Sequence, residues 1–502
     1  MRFWLRVRSS ASFRFLEQST VYGLGRALSQ VTALVLLPIY LSHLTPADYG
    51  VLAVSQMVGP VLGALWTFGI ESAVGRFYYE YQGKERERVV GTAFTLARIT
   101  TVLGLLLTLA IGPGILPHLV QNAPYSPHIL LVIWTTFFNT FSVLPLILMR
   151  VQEEAHKYIF ATFGTFLMTI IANVYFVVYA GWGVVGVLTG NLVSSMICAA
   201  GYLWYLRRYM VLTFDWNYAR CLLRYVLPFM PELTLGSLVA AADRFFLDKW
   251  VPVAEIGLYS LARQFASVAM QVIQSLKTAY TPIGFKIWTQ NAGTRRRDLA
   301  CMSLWYVGIS GLATATVVIL SHDVVLLLGR QGYLGAIPLV PLLTASYLAL
   351  VVYWVISMTF LVGDDTKFLF ISFMVYGVLF VGLNMVFVPQ FGVWAAVVAA
   401  LVAQMGRAVV TYFMGERRKP IGLPVRGMLI LLSPAALLIP FGMWGWGNIA
   451  WQARLASKMG ILGSYGLFVL VYMARFSGIP IRHMAKRFWN GLERRLAIKT
   501  SL

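Results

Sequence analysis

Stretches of about 20 apolar residues recur from one end of this chain to the other, and they confine its fold more than any other feature. "VTALVLLPIYL", "ITTVLGLLLTLAIGPGIL" and "VLFVGLNMVFV" lie in three of them. A helix of that length crosses the hydrocarbon core of a bilayer with its backbone hydrogen bonds closed internally, which an irregular segment cannot do. Of the 502 residues, 59% are hydrophobic and only 12% charged, too little to cover the surface of a soluble domain of this size. The composition therefore specifies an all-α integral membrane protein.

Tracing the apolar runs gives about fourteen transmembrane helices, near 19–41, 49–70, 89–112, 127–149, 158–180, 183–205, 222–247, 256–285, 300–328, 334–361, 367–389, 392–413, 424–447 and 456–478. The eighth, with several polar residues, and the thirteenth fit the pattern least well. The intervening loops sort by charge. The amino-terminal arm (Arg2, Arg6, Arg8, Arg14), the second loop (Arg76, Lys84, Arg86, Arg88), the sixth, eighth and twelfth loops and the carboxyl-terminal tail collect about 30 of the 40 basic residues on one side. The other side has about four: Lys249, Arg330, Arg454 and Lys458. This bias predicts both termini in the cytoplasm and the bare turn "SHLTPAD" outside. The net charge of +21 is then a property of loops facing anionic lipid, and nucleic acid is not an expected partner.

A repeat runs through the sequence. "PADYGVLA" (from Pro46) returns as "VAEIGLYS" (from Val253) about 207 positions later, and "GWGVVGVLTG" (from Gly181) returns loosely as "QFGVWAAVVA" (from Gln390) after about 209. Each member of the second pair follows a span bearing an asparagine, Asn173 or Asn384. An even number of spans per repeat keeps both halves in one orientation, so two six-helix lobes in parallel pseudo-repeat are expected, followed by two additional C-terminal helices. The predicted divisions are a basic cytoplasmic arm (1–18), an N-terminal lobe (19–215), a C-terminal lobe (216–415), the two extra helices (416–478) and a basic tail (479–502). "MRFWLRVRSSASFRF" has no short apolar core and small-residue cleavage site after it, so no cleaved signal peptide is expected.

The loops are short, without room for a catalytic domain. A G-x-x-x-x-G-K phosphate loop, paired carboxylates, histidine clusters and nucleophile elbows are missing from the sequence. Cys198, Cys221 and Cys301 have neither metal-ligand nor disulfide-framework spacing. The reading is a secondary transporter that is not an enzyme, with no cofactor and no metal.

Particular motifs then carry a resemblance. "LLPIYLSHLTPADYG" resembles the opening of the Wzx-type polysaccharide flippases, with a proline in the first span followed by L-(S/T)-P-x-(D/E)-(Y/F)-G. "LPFMPELTLGSLVAAADRFFLDKWVPVAEIGLYSLARQFA" is similar to the same family's seventh and eighth spans, and "NMVFVPQFGVWAAVVA" to its N-x-x-x-x-P-x-F-G-x-x-G-A signature. Trp394 departs from that signature, a bulky residue where a small one is usual, which puts close helix packing there in question. The resemblance covers about residues 17 to 415. It implies membership of the multidrug/oligosaccharidyl-lipid/polysaccharide exporter superfamily, two six-span lobes around a central cavity, and residence in a bacterial cytoplasmic (inner) membrane. The implied substrate is an undecaprenyl-pyrophosphate-linked oligosaccharide, flipped to the outer leaflet for surface polysaccharide synthesis. Membrane lipids and the polymerase and chain-length proteins of the same pathway are the implied partners. In the related lipid II flippases two extra terminal spans form a groove for the lipid tail, a role the thirteenth and fourteenth spans would suit.

The charges placed within the spans agree with an anionic substrate. Six basic ones stand out (Arg26, Arg98, Arg244, Arg263, Lys277 and Arg407), against the acids Glu232 and Asp243. A charge at the bilayer centre costs roughly 2.5–3.5 kcal/mol or more, so these groups should face a wet cavity or a partner. Arg26, Arg98, Arg263, Lys277 and Arg407 are the expected pyrophosphate ligands, all but Arg263 in the cytoplasmic half. Snorkelling to headgroups is the alternative for Arg26 and Arg407. Glu232 and Asp243 are candidates for ion coupling, or else a kink carboxylate and one half of an interfacial salt bridge with Arg244. Trp66, Phe68, Phe77, Tyr78 and Tyr79 offer faces for sugar stacking or an interfacial belt. A drug/cation antiporter of the same superfamily is the first rival and would want acids in the amino-terminal lobe. A membrane-bound polymerase or glycosyltransferase would want a large outward loop or an acidic pair.

Overall fold

With no water in the hydrocarbon to satisfy amides, a chain this apolar has to close its hydrogen bonds along helices. A computed structural model of the chain describes residues 32–207, 214–228, 230–290, 295–328, 331–362, 365, 367–418, 422–444 and 451–477. Among them there are helices and no strand. They are α1 (Thr32–His43), α2 (Pro46–Thr67), α3 (Ile70–Glu80), α4 (Gly83–Leu119), α5 (Leu130–Val151), α6 (Ala155–Val174), α7 (Gly183–Leu206) and α8 (Trp216–Val226). There follow α9 (Met230–Trp250), α10 (Val253–Gln290), α11 (Arg295–Leu328), α12 (Leu339–Val362), α13 (Lys367–Phe391), α14 (Val393–Arg418), α15 (Val425–Trp444) and α16 (Trp451–Ser477).

Ten of the described helical segments are long and apolar enough to cross a membrane, and α8 with α9 make an eleventh, bent by 52°. The other three expected spans fall short for separate reasons. The first is described only from Thr32, and the apolar part of α15 is short, Val425–Pro440. The eighth, α10, has 38 residues but carries Arg263, Gln264, Gln271, Gln274, Ser275, Lys277 and Thr278. Its length fits a span; its composition fits a helix with a wet side.

The bare turn "SHLTPAD" proves to be a helix start. The Thr45 hydroxyl accepts from the Asp48 N–H (3.2 Å), Asp48 Oδ2 accepts from the Thr45 N–H (2.9 Å), and Pro46 occupies the first turn. This reciprocal cap satisfies two orphan amides where α2 begins. The helix ends at Thr67, where Phe68 (φ 52°) and Gly69 (φ 71°) both turn left-handed before α3.

The chain forms two compact units. One comprises the described parts of 1–261 with 328–334 and 383–396. Its apolar interior includes Leu52, Val132, Val177, Val187 and Leu188 at one level and Ile70, Phe77, Ala93, Leu144, Leu148, Leu222 and Val226 at another. The amphipathic α8 contributes the last two. The other unit comprises 262–327, 335–382 and the described residues from 397 onward. In its core Met428, Leu431 and Ala435 of α15 and Tyr465, Val469 and Met473 of α16 pack with Leu304, Val307, Val351 and Val355 of α11 and α12. α15 and α16 thus each pack one face against this unit's core.

Local geometry repeats where the sequence repeats. Gly183 and Gly392, the third residues of the matched segments, have φ of 55° and 58°. Asn173 and Asn384 are both fully buried. Asn173 accepts from the Tyr40 hydroxyl (2.9 Å) and donates to Asn191 Oδ1 (3.0 Å). Trp394 does not obstruct packing: it is 41% exposed, while its neighbour Ala395 and Ala399 one turn later face inward.

Candidate functional site: paired cations and a polar cavity

Two of the expected anion ligands come together in the second unit. Lys277 Nζ of α10 sits 4.2 Å from the ring centre of Trp354, and the Arg407 guanidinium of α14 sits 3.7 Å from that of Tyr353. Trp354 and Tyr353 are consecutive on α12, so one helix turn presents an aromatic face to each cation. Arg407 also donates through Nη2 to the Tyr353 hydroxyl (2.8 Å), and Tyr376 of α13 stands 5.6 Å away. Met270 of α10, Tyr353 and Trp354 of α12 and Ala408 of α14 pack in one cluster, which puts the two cations in the same part of this unit. Among the described residues neither joins an ion pair with a carboxylate. Cation–π contact is worth roughly 0.5–2 kcal/mol, which holds such groups in place without neutralising them. Two like charges are thus seated on consecutive aromatic residues of one helix.

Arg98 and Arg263 stand differently. Arg98, in the first unit, donates Nη1 to the Thr140 hydroxyl (3.0 Å) and Nη2 to the Thr140 carbonyl (2.9 Å), and stacks on Phe141 at 4.1 Å. It is anchored against α5. Arg263 shares α10 with Lys277 but lies fourteen residues earlier, about 21 Å along the axis, farther than a diphosphate can reach. Arg26 lies outside the described residues. Glu232 is exposed in the first turn of α9, where a carboxylate also complements the helix dipole. Asp243 is 2% exposed, accepting from the Arg244 N–H (2.9 Å) and the Tyr259 hydroxyl (2.5 Å), and so ties α9 to α10.

The first unit holds a cavity of about 660 Å³ between α2, α5, α6 and α7. Gln56, Glu71, Thr135, Asn139, Asn191 and Ser194 are among its walls. Among the described residues, no Lys, Arg, His or aromatic residue lines it. The aromatics proposed for sugar stacking are elsewhere: Trp66 is buried with its indole N–H on Thr108 (3.2 Å), and Phe77 is in the core. The hydroxyl and amide residues of α5 to α7, spaced three or four apart, were the legible signal of this wall.

Sequence reasoning also missed a buried ion cluster. It counted Glu232 and Asp243 as the acids within the spans, but Asp323 near the end of α11 is a third. Lys458, placed by charge in an outward loop, is instead fully buried on α16 with Nζ 2.5 Å from Asp323 Oδ2, and Arg454 Nη1 is 3.7 Å from Oδ1. Arg454 and Lys458 are four apart and so share a helix face.

At the charge-poor ends of the helices, the two matched stretches of the repeat meet inside the first unit. A Cβ added to Gly50 would lie 1.9 Å from the Val253 carbonyl oxygen, and one added to Gly257 1.9 Å from that of Pro46. Gly50 and Gly257 are repeat partners, as are Pro46 and Val253, so the contact is reciprocal, as a pseudo-twofold axis requires. Asp248 reinforces it, accepting from the backbone N–H groups of Gln121 (2.6 Å) and Asn122 (3.1 Å), and Tyr333 donates to the Leu44 carbonyl (2.8 Å).

Comparison with known proteins agrees with this architecture. Residues 43–338 match a family model described as polysaccharide biosynthesis protein. An uncharacterized membrane protein of Haemophilus influenzae is 23% identical over 313 residues, 60% of this chain and 73% of that protein. Among solved structures, the lipid II flippase MurJ in an inward closed conformation superposes with a TM-score of 0.69 at 12% identity, covering 94% of this chain and all of that one. A multidrug resistance MATE family transporter of the MOP superfamily, in an inward-facing conformation, gives 0.64 at 17% identity, over 80% of this chain and 96% of its own.

Proposed function

Given that this chain belongs to the polysaccharide biosynthesis protein family, as a multi-pass membrane protein with the fold of flippases and transporters, we propose that it flips a polyprenyl-pyrophosphate-linked oligosaccharide between leaflets by alternating access. The membrane is the bacterial cytoplasmic one, both termini are cytoplasmic, and the product feeds surface polysaccharide synthesis. The observation that carries this reading is the Lys277–Arg407 pair, two cations held on the faces of consecutive aromatic residues, Trp354 and Tyr353, without a carboxylate partner among the described residues. A diphosphate accepts hydrogen bonds from both. The lipid tail never leaves the hydrocarbon.

The drug/cation antiporter gains one supporting observation, Glu71 in the wall of the first unit's cavity. The test sets the two side by side. Purified protein in liposomes should transfer an undecaprenyl-pyrophosphate disaccharide across the bilayer, read by its exposure to an added lectin. Lys277→Ala with Arg407→Ala should reduce the rate at least about tenfold, each lost contact to a charged group being worth roughly 1.5–3 kcal/mol. Transport of ethidium, unaffected by that double change and without lipid transfer, would establish the antiporter instead.

A further inference from the structure

We infer that the cavity of the first unit is a subsite for the sugar portion of the substrate, selective for uncharged or amino sugars over uronic acids. The inference rests on the flippase reading, to which it adds the chemistry of the carried group.

The walls offer mainly acceptors. Each hydroxyl has one proton, and most here have already donated it along their own helix: Thr135 to the Leu131 carbonyl (2.7 Å), Thr136 to Val132 (2.8 Å), Thr165 to Ala161 (3.0 Å) and Ser195 to Leu192 (2.8 Å). Their lone pairs remain for a guest. The Gln56 and Asn139 amides, with no hydrogen bond to other protein side chains, add both donors and acceptors, and Glu71 adds a carboxylate. Such a wall asks for many O–H donors at once, which sugars supply and phosphates do not.

Other guests fit less well. Among the described lining residues an anion finds no cation, and it meets Glu71. A bare metal ion needs several oxygens converging within about 2.6 Å, whereas the cavity measures about 660 Å³ and no cluster of metal-binding side chains occurs among the described residues. A flat organic cation finds no aromatic face among the described lining residues.

The experiment uses the full chain in nanodiscs and three probes: undecaprenyl diphosphate alone, the same lipid bearing di-N-acetylchitobiose, and the same lipid bearing digalacturonic acid. The neutral disaccharide should tighten binding about tenfold over the bare lipid, and Gln56→Ala with Asn139→Ala should erase that gain while leaving bare-lipid affinity unchanged. Both positions are exposed, and thermal unfolding of the variant should match the parent. The uronate-bearing lipid should bind more weakly than the neutral one, and Glu71→Gln should narrow that gap. A sugar that adds nothing, or a double variant that weakens bare and sugar-bearing lipid equally, would overturn the subsite and leave the flippase reading standing. An unchanged gap in Glu71→Gln would overturn the selectivity. Failure of the parent protein to bind even bare undecaprenyl diphosphate would overturn the flippase reading, and the subsite with it.

Discussion

Lys458 shows how far one side chain's environment can depart from its local sequence. Its neighbours read as an outward loop, yet the ammonium is wholly buried against Asp323, with Arg454 completing the cluster. Removing one member of a buried pair leaves the other charge without compensation, typically at a cost of about 3–5 kcal/mol. Lys458→Met should therefore destabilise the protein by about 3 kcal/mol in detergent unfolding, and Asp323→Asn added to it should recover much of the loss. If the single variant is as stable as the parent, the cluster does not fasten α16 to α11. The same reasoning separates the cations of the transport reading. Lys277 and Arg407 have aromatic seats but no acid, whereas Arg98 has already committed two donors to Thr140. Arg98→Lys should accordingly cost stability before it costs transport, seen as a lowered melting temperature with an undiminished rate per folded molecule.

Among the elements, α2 and α10 carry the repeat, and their first turns touch. The sequence showed that "PADYGVLA" and "VAEIGLYS" correspond. It could not show that they pack against each other, because a repeat fixes local likeness and not contact. Glycine at 50 and 257 lets two backbones approach with no room for a Cβ beside a carbonyl oxygen. Gly50→Val should force this crossing apart. In a variant lacking Cys198, Cys221 and Cys301, a cysteine in place of Ser260, which is 6% exposed, should then react faster with a membrane-impermeant thiol reagent. Equal labelling rates with and without Gly50→Val would mean that the crossing does not close this end. The weakly apolar α10 gains its explanation at the same scale. It supplies both a tightly packed first turn and the cation Lys277, and neither use tolerates a uniformly lipid-facing helix.

For the whole molecule, the asymmetry of basic loops sets the expected orientation. A reporter fused after Leu502 should read cytoplasmic, and cysteines at Asp48 and Glu255 should both label from outside. A carboxyl terminus on the far side would require an odd number of spans and would break the parallel repeat. That the chain is a multi-pass membrane protein was already written in its order, as apolar runs of spanning length; basic residues on alternate loops and two halves that match at a near-constant offset supply the expected orientation and repeat. These are one-dimensional properties, because a bilayer selects length, hydropathy and charge bias before any helix meets another. Which side chains share a site was not. Lys277 and Arg407 are 130 positions apart in number and meet only because α10, α12 and α14 pack together, whereas Arg263 shares a helix with Lys277 and is out of reach of it. The hydroxyls of the cavity look like any polar residues of amphipathic spans until four helices enclose them. Bilayer insertion reads composition along the chain, but a binding site depends on distances between segments, and those exist only once the helices have packed.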